Sequence, residues 1–382
     1  MRNLILKLIF SLTAAVIFAA CSDSNEQPVA ESPRAVLVYM VANNSLGSAR
    51  YDEADINEML EAARYGDLGS SRLIIYHHAR NADPILREIT PQGETILATY
   101  DTSVSSVSAA RMNEVIADFK RMAPATRYGL ILWSHGSGWI ENGIETVDEN
   151  APDDMVHTQS FGDDGGRHMN VSTMARVLRD KGFDYIYFDC CYMAGVEVAY
   201  ELRNCTDYIV GSATELPANG MPYDKTLRHL MKTDADLSGA AQETFSHYDN
   251  LTNSARTCTI SVIDTDGMDN LADATRAIYS ANNITSDGFH PQQFMTSACY
   301  LFDFGQYVDD LAAGFPELKA GFDAAMSDVI IFKASTPKLW NALTLVHHSG
   351  LSTYLPDFAK TNSYNYDNLQ WADDVASALQ AR

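Results

Sequence analysis

The chain has 382 residues and carries 50 Asp and Glu against 27 Lys and Arg, which gives a formal net charge of −23 at pH 7. An acidic surface of this kind repels nucleic acid and anionic lipid headgroups, so we predict no nucleic-acid partner. The surplus of acidic residues would favour cationic substrates or bound cations. It is also explained by solubility without any binding role, and we prefer this simpler interpretation.

The N-terminal residues 1–20 predict a secretory signal. Arg2 and Lys7 precede an apolar run over 8–20, which is too short for a stable membrane span. The run ends in Phe18-Ala-Ala-Cys21, which resembles the cleavage box of bacterial lipoproteins, with Cys21 as the lipidated first residue of the mature chain. Ser22 in place of Asp resembles lipoproteins sorted to an outer membrane. We therefore predict export across the inner membrane and a lipid anchor, with an ordinary signal peptide as the alternative.

The rest of the chain is predicted to fall into three parts. Residues 21–34 are polar and contain two prolines, which indicates a flexible tether. Residues 35–264 are predicted to form the main domain. Residues 265–382, where the pattern becomes mostly helical, are predicted to form a C-terminal subdomain packed on it.

Strand and helix patterns alternate along the main domain. Apolar runs begin at Tyr128 and Tyr185, and further runs typical of buried strands lie at 35–41, 72–76, 208–211 and 257–263. Helical spacing is found at 52–64, 112–122, 172–181 and 195–202, and residues 85–100 predict a hairpin. This alternation predicts an α/β fold with a mainly parallel sheet flanked by helices. Residues 141–166 lack periodicity and are predicted to form a long loop.

Two of the apolar runs end in residues with catalytic chemistry. One leads to His135, and the other leads to Asp189, Cys190 and Cys191. Since ligands bind beyond the carboxyl ends of parallel strands, His135 and Cys191 are predicted to meet in one crevice. An imidazole can take the thiol proton and return it to a leaving amine, which is the chemistry of a Cys–His dyad. Taken singly, each residue is more often structural, a cysteine as a small buried hydrophobe and a histidine as a satisfied polar group.

Residues beside the two side chains offer groups for an oxyanion hole. Gly136 removes side-chain bulk next to the histidine, so that a scissile carbonyl can approach the backbone. The N–H groups of Gly136 and Cys191 are therefore the predicted oxyanion donors.

The sequence resembles the clostripain family of cysteine peptidases, which share the caspase–gingipain fold. The segments that carry the resemblance are Tyr39-Met-Val-Ala-Asn-Asn-Ser-Leu46, Asp55-Ile-Asn-Glu-Met59, Leu132-Trp-Ser-His-Gly-Ser-Gly-Trp139, Phe188-Asp-Cys-Cys-Tyr-Met193, Glu197-Val-Ala-Tyr-Glu-Leu202 and Gly350-Leu-Ser-Thr-Tyr-Leu-Pro356. The resemblance implies a caspase-like catalytic domain over 35–264 and a cysteine endopeptidase that acts on protein or peptide substrates.

The resemblance also implies residue roles. The nucleophile of the family stands two residues after an Asp and two before a Met, which selects Cys191 and not Cys190. Family members cleave after Arg or Lys, and Asp189 is the predicted floor of the pocket for that side chain. The alternative for Asp189 is a hydrogen-bonded structural carboxylate at a strand end.

The sequence departs from the family pattern at several positions. Ala42 replaces a common acidic residue, and Met221 stands where Trp is usual, so that a second pocket acid is not assigned. No Lys or Arg occurs between Arg127 and Arg167, where relatives are often cut for activation, so we predict weak or absent self-processing there. Some relatives need calcium, but residues 148–164 lack EF-hand spacing, and a solvated acidic loop without a cofactor is predicted.

Three further classes of site or function are weighed against a peptidase. The cysteines lack CxxC spacing, which argues against a thiolate zinc site, and no metal site is predicted. A serine esterase is disfavoured because the chain has no GxSxG elbow. A non-catalytic binding lipoprotein on the same fold remains the main alternative, since the pocket loop departs from the family.

Overall fold

The computed structural model describes residues 30–140, 161–282, 290–295, 301–355 and 366–380. The predicted signal, Cys21 and most of the predicted loop at 141–166 therefore lie outside the described residues. The strands in chain order are β1 (Ser32–Val41), β2 (Arg72–His78), β3 (Ile85–Thr90), β4 (Gly93–Thr99), β5 (Ala125–Trp133), β6 (Phe161–Asp164), β7 (Arg167–Met169), β8 (Phe183–Asp189), β9 (Thr206–Gly211), β10 (Thr259–Asp264), β11 (Leu301–Asp303), β12 (Ile330–Ser335), β13 (Lys338–Leu339), β14 (Leu343–Thr344) and β15 (Ser352–Tyr354).

Nine of these strands form one sheet in the order β12-β10-β9-β8-β5-β1-β2-β3-β4. The five central strands, from β9 to β2, are parallel to one another. The outer strands are antiparallel: β10 and β12 on one side, and the hairpin β3–β4 on the other. The predicted α/β fold with a parallel core is therefore confirmed.

The helices cover both faces of the sheet, because the central strands are apolar on both sides. In β1, Leu37 and Tyr39 point into one buried cluster, while Val38 and Met40 point into the other. The helices in chain order are α1 (Ser45–Ser48), α2 (Tyr51–Tyr65), α3 (Ala109–Met122), α4 (Val171–Leu178), α5 (Val196–Leu202), α6 (Tyr223–Leu230), α7 (Leu237–Asp249), α8 (Met268–Ala281), α9 (Phe304–Ala312), α10 (Pro316–Val329) and α11 (Ser377–Gln380). One layer contains α2, α6 and α7, and the other contains α3, α4, α5, α8, α9 and α10.

Most predicted elements are found, with three corrections. The flexible tether predicted over 21–34 is wrong at its end, because β1 begins at Ser32 and the Arg34 side chain is buried. The helix predicted over 172–181 ends at Leu178, because Asp180 and Gly182 have φ angles of 60° and 63°, which a right-handed helix cannot contain. The solvated loop predicted over 148–164 is wrong at its end, since residues 161–164 form β6 and the Asp164 carboxylate is buried. In the described part of the chain, no helix is both long and apolar enough to cross a bilayer.

The C-terminal part contributes directly to the central sheet. Strand β12, which comes from residues 265–382, pairs antiparallel with β10. The short strand β15 contacts the segment after Cys191, where the Ser352 N–H donates to the Ala194 carbonyl at 2.9 Å. The division of the chain near residue 264 stays a prediction.

Candidate active site

His135 and Cys191 lie at the same edge of the sheet because their strands are neighbours in register. Trp133 at the end of β5 pairs with Asp189 at the end of β8. Each of the two predicted catalytic residues follows two positions beyond this pair. Both side chains line one cavity of about 380 Å³ at the carboxyl ends of the strands.

The His135 imidazole is half-buried and has one hydrogen-bond partner among the described residues, the Ser45 hydroxyl. The distance from Nε2 to Ser45 Oγ is 2.8 Å. Burial lowers the pKa of His135, and the nearby charge of Asp163 acts in the opposite direction. The imidazole is therefore neutral at neutral pH and available as a base.

The Cys191 thiol faces the loop after β9. The Leu216 N–H donates to Cys191 Sγ at 3.3 Å, and Sγ lies 3.7 Å from the Leu216 carbonyl oxygen. Burial raises the pKa of Cys191 to about 11, and the contact with the Leu216 N–H only partly offsets this effect. The resting thiol is therefore protonated at neutral pH.

The chain turns sharply directly after Cys191. Tyr192 has a φ angle of 65°, a left-handed conformation that costs a residue with a side chain about 1–2 kcal/mol. The Tyr192 N–H donates to the Thr214 carbonyl at 3.0 Å, which holds this turn against the loop after β9. Such a turn leaves Cys191 at the strand end, whereas the Cys190 side chain is buried.

Gly136 lies close to the backbone of the cysteine pair. A Cβ at residue 136 would lie 2.7 Å from the Cys191 carbonyl oxygen, which is too close for any larger residue. The bridge between this segment and β6 uses the His135 carbonyl, which accepts from the Gly162 N–H at 2.9 Å. That bond leaves the Gly136 N–H, one of the predicted oxyanion donors, out of the bridge.

Asp189 is buried and lines the same cavity as His135 and Cys191. Its Oδ1 accepts from the Met221 N–H at 3.0 Å, and its Oδ2 accepts from the Tyr223 hydroxyl at 2.9 Å. Burial raises the pKa of Asp189 to about 6, against the effect of these two donors. The carboxylate is therefore largely ionised above pH 7, although it takes up a proton at a higher pH than an exposed Asp does.

A second buried carboxylate lies beneath the pocket. Asp55 in α2 accepts from the Trp133 indole N–H at 2.6 Å, and Trp133 lines the cavity. Burial, followed by the charge of Asp189, raises the pKa of Asp55 to about 9. Burial thus raises the pKa of both carboxyl groups, and the pair carries one negative charge more readily than two.

Other residues of the site were given no role by the sequence, although Ser45 lies in the segment 39–46 that carries the family resemblance. Ser45 follows β1, Leu216 contacts the thiol only through its backbone, and Trp340 comes from the distant β13–β14 connection to line the cavity. Trp340 and the following Asn341 both have positive φ angles, of 51° and 56°. The alternating strands predict where the cavity lies, but they do not predict which loops reach it.

The described residues offer little for a metal or a disulfide. Among them, no group of three or more His, Cys, Asp and Glu side chains is arranged to hold a metal ion. Asp163 and Asp164, from the acidic segment considered for calcium, accept from the Gly166 N–H and from the Asn43 and Ser105 side chains respectively. The cysteines of the described part, Cys190, Cys191, Cys205 and Cys258, are free thiols.

Comparisons with known proteins agree on one family. The sequence model of the clostripain family matches residues 38–312. An inactive zymogen C11 protease from Parabacteroides distasonis is 30% identical, with a TM-score of 0.76 over 91% of this chain and 99% of that one. A secreted C11 cysteine protease from Bacteroides thetaiotaomicron, in complex with an irreversible peptide inhibitor, is 26% identical, with a TM-score of 0.75 over 92% and 100% of the two chains.

A further structure of a secreted C11 cysteine protease from Bacteroides thetaiotaomicron, "iotapain", shares the fold. It is 24% identical, with a TM-score of 0.78 over 92% of this chain and 100% of that one. None of the curated proteins matches the sequence. The family match spans most of the chain and agrees with the solved structures, and the chain therefore belongs to the clostripain family of cysteine peptidases.

Proposed function

We propose that the protein is an endopeptidase that hydrolyses peptide bonds through Cys191 and His135. The observation that carries the proposal is that both side chains line one cavity at the ends of neighbouring strands, with the Asp189 carboxylate in its wall. The relative with a bound peptide inhibitor supports a peptide in the corresponding cleft.

The reaction begins from a neutral pair. Because the thiol pKa is raised and the imidazole pKa is lowered, the proton stays on sulfur until a substrate docks. His135 then takes this proton as Cys191 Sγ attacks the scissile carbonyl carbon. The carbonyl oxygen gains negative charge, and the N–H groups of Gly136 and Cys191 are the proposed donors to it.

The intermediate collapses when His135 gives its proton to the amine. The carbon–nitrogen bond breaks, the new N-terminal amine leaves, and the acyl group remains on sulfur as a thioester. Water then loses a proton to His135 and attacks the thioester, which releases the acid and restores the thiol. No cofactor is required by these steps.

Asp189 gives the pocket a preference for Arg or Lys before the cleaved bond. Each carboxylate oxygen already accepts one hydrogen bond, from Met221 or from Tyr223, and each keeps a lone pair for a further donor. A guanidinium or ammonium group would provide such a donor together with the opposite charge. A structural role alone would not require the carboxylate to line the cavity.

Peptide hydrolysis by the purified protein tests this function. Short fluorogenic peptides ending in Arg, Lys, Asp or Leu are compared with and without calcium, and we expect cleavage after Arg and Lys. Cys191→Ala should abolish cleavage, while Cys190→Ala should keep it. Loss in Cys190→Ala alone would reverse the assignment, and a lack of cleavage under all conditions would favour the binding lipoprotein.

We also propose that the protein is exported and anchored through a lipid on Cys21, at an outer membrane. The support is the sequence at 1–22 and the secreted relatives. Cell fractionation after labelling with a radioactive fatty acid tests this. We expect label and membrane association in the natural protein and neither in Cys21→Ala, whereas an unlabelled protein in the culture medium would contradict it.

A further inference from the structure

We propose that Ser45 is the positioning residue of His135. Its Oγ accepts a hydrogen bond from the Nε2–H group of the imidazole, so that Nδ1 is the nitrogen that serves as the base. The inference rests on the proposed function, because it names the group that orients the base of that reaction. Sequence patterns gave Ser45 no role, and only the fold brings it to the histidine.

The first argument is the contact itself. Ser45 Oγ lies 2.8 Å from His135 Nε2, the distance of a good hydrogen bond. In the part of the chain that the structure describes, no hydrogen-bond partner of the other ring nitrogen is found. The nitrogen that faces Ser45 is thus occupied, and the remaining nitrogen is available to a thiol or to a substrate amine.

The second argument is that the neighbouring residue fixes Ser45 in place. The Asn44 side-chain amide donates to the Val41 carbonyl at 2.9 Å and to the Asp163 carbonyl at 2.8 Å. It also lies 3.3 Å from the hydroxyl of Ser134, which directly precedes His135 in the chain. The loop that carries Ser45 is therefore tied to the end of β1, to β6 and to the residue that precedes His135.

The third argument separates Ser45 from the stability of its helix. Asn44 is the N-cap of α1, and its side-chain oxygen accepts from the Leu46 N–H at 2.8 Å. The Ser45 hydroxyl is not needed for that cap. It is free to serve the imidazole, and its removal should leave the turn intact.

A hydroxyl in this position has a specific chemical effect. As an acceptor, Ser45 Oγ holds the proton on Nε2, which leaves the Nδ1 lone pair to receive the thiol proton. A serine adds no charge, so it does not raise the basicity of the ring as a carboxylate would. This agrees with a histidine that is neutral in the resting enzyme and gives up its proton readily to a leaving amine.

The kinetic test compares three variants of the full protein. Ser45→Ala should lower kcat roughly 10-fold, about the effect of one lost hydrogen bond, and leave KM within about twofold. Ser45→Thr keeps the hydroxyl and should retain most activity. Ser48→Ala is the matched control, because Ser48 lies in the same short helix and donates to the Asn44 carbonyl at 2.8 Å without contacting His135. Equal losses in Ser45→Ala and Ser48→Ala, or no loss in Ser45→Ala, would overturn the proposal.

A second readout does not depend on peptide cleavage. Nitrogen NMR of the histidine rings, with His135→Ala to assign the signal, reports which nitrogen carries the proton. We expect the Nε2–H form in the wild type and a mixture of both forms in Ser45→Ala. A wild-type ring protonated on Nδ1 would overturn the role of Ser45 even if peptides are cleaved. An Nε2–H ring in a protein that cleaves no peptide would mean that the proposed peptidase function, and not the contact, has failed.

Discussion

The backbone at Gly136 lies directly against the carbonyl group of Cys191, and a Cβ at residue 136 would approach its oxygen to 2.7 Å. The two segments that follow β5 and β8 are thus in contact through their main chains. Because the segments carry the imidazole and the thiol, this contact fixes how far apart the two side chains can be.

A methyl group at residue 136 should therefore damage the site. Gly136→Ala must push either the histidine segment or the Cys191 carbonyl away, and we expect kcat/KM to fall by about 10- to 100-fold. Overpacking should also reduce the free energy of unfolding by about 1–3 kcal/mol. Peptide cleavage and urea unfolding measure the two effects.

Gly321→Ala is the control for that substitution. Gly321 lies within α10, and a Cβ there would meet no atom within 4 Å. Alanine favours the helix over glycine, so Gly321→Ala should leave activity unchanged and slightly raise stability. If Gly136→Ala behaved like Gly321→Ala, the close approach would not constrain the site.

The resting thiol should behave as a buried thiol and not as a preformed thiolate. Its pKa of about 11 predicts that alkylation of Cys191 by iodoacetamide keeps accelerating as pH rises, with no plateau below about pH 9. The rate is measured in Cys190→Ala, so that the neighbouring thiol does not react. Labelling of Cys191→Ala gives the contribution of the remaining cysteines, which is subtracted. A rate that levels off near pH 6 would instead indicate a thiolate paired with imidazolium.

The Tyr223 hydroxyl should help keep the Asp189 carboxylate ionised. Its hydrogen bond lowers the pKa of Asp189, so Tyr223→Phe should raise that pKa from about 6. A larger fraction of Asp189 is then protonated near pH 6.5 and no longer attracts a cationic side chain. KM for Arg and Lys peptides should therefore rise several-fold at pH 6.5, with a smaller change at pH 8.5. Steady-state kinetics at the two pH values measure this effect.

Tyr187→Phe provides the matched control for the pocket. It removes a buried hydroxyl that lies 3.0 Å from Thr244 Oγ1 and has no hydrogen bond to Asp189. We expect its KM values to match the wild type at both pH values. An unchanged KM in Tyr223→Phe at pH 6.5 would show that this hydroxyl does not tune substrate binding.

Glu197, six residues beyond Cys191, should make stability depend on pH. It is fully buried, accepts from the Tyr354 N–H at 2.8 Å and the Thr353 hydroxyl at 2.9 Å, and burial raises its pKa to about 7. Because the folded pKa exceeds the unfolded one, its contribution is favourable at low pH and is lost as pH rises from about 4.5 through 7.

Glu197→Gln should remove that dependence. Relative to the wild type, we expect the variant to gain about 2 kcal/mol in free energy of unfolding when pH rises from 5 to 8. Thermal or urea unfolding at the two pH values measures the difference, with the exposed Glu317→Gln as the control. If the stability difference between Glu197→Gln and the wild type is the same at pH 5 and pH 8, the pKa of Glu197 does not shift between the folded and unfolded states within this range.

The strand runs and the positions of His135 and Cys191 could be predicted from the sequence, because local patterns determine them. An apolar run of five to seven residues is typical of a buried strand, and parallel strands share one edge for their carboxyl ends. The hairpin of β3 and β4 and the helix α2 were predictable for the same reason. The end of α4 was not, because Asp180 adopts a positive φ without any glycine to indicate it.

What surrounds His135 and Cys191 was decided by the tertiary structure. Ser45 lies ninety residues before His135, and Leu216 reaches Cys191 through a backbone N–H that every residue except proline possesses. Neither contact has a residue pattern, since each depends on how loops from separate strands pack together. The sequence alone therefore determined that His135 and Cys191 follow the ends of apolar strands, whereas the packing of distant loops decided which groups contact the thiol and the imidazole.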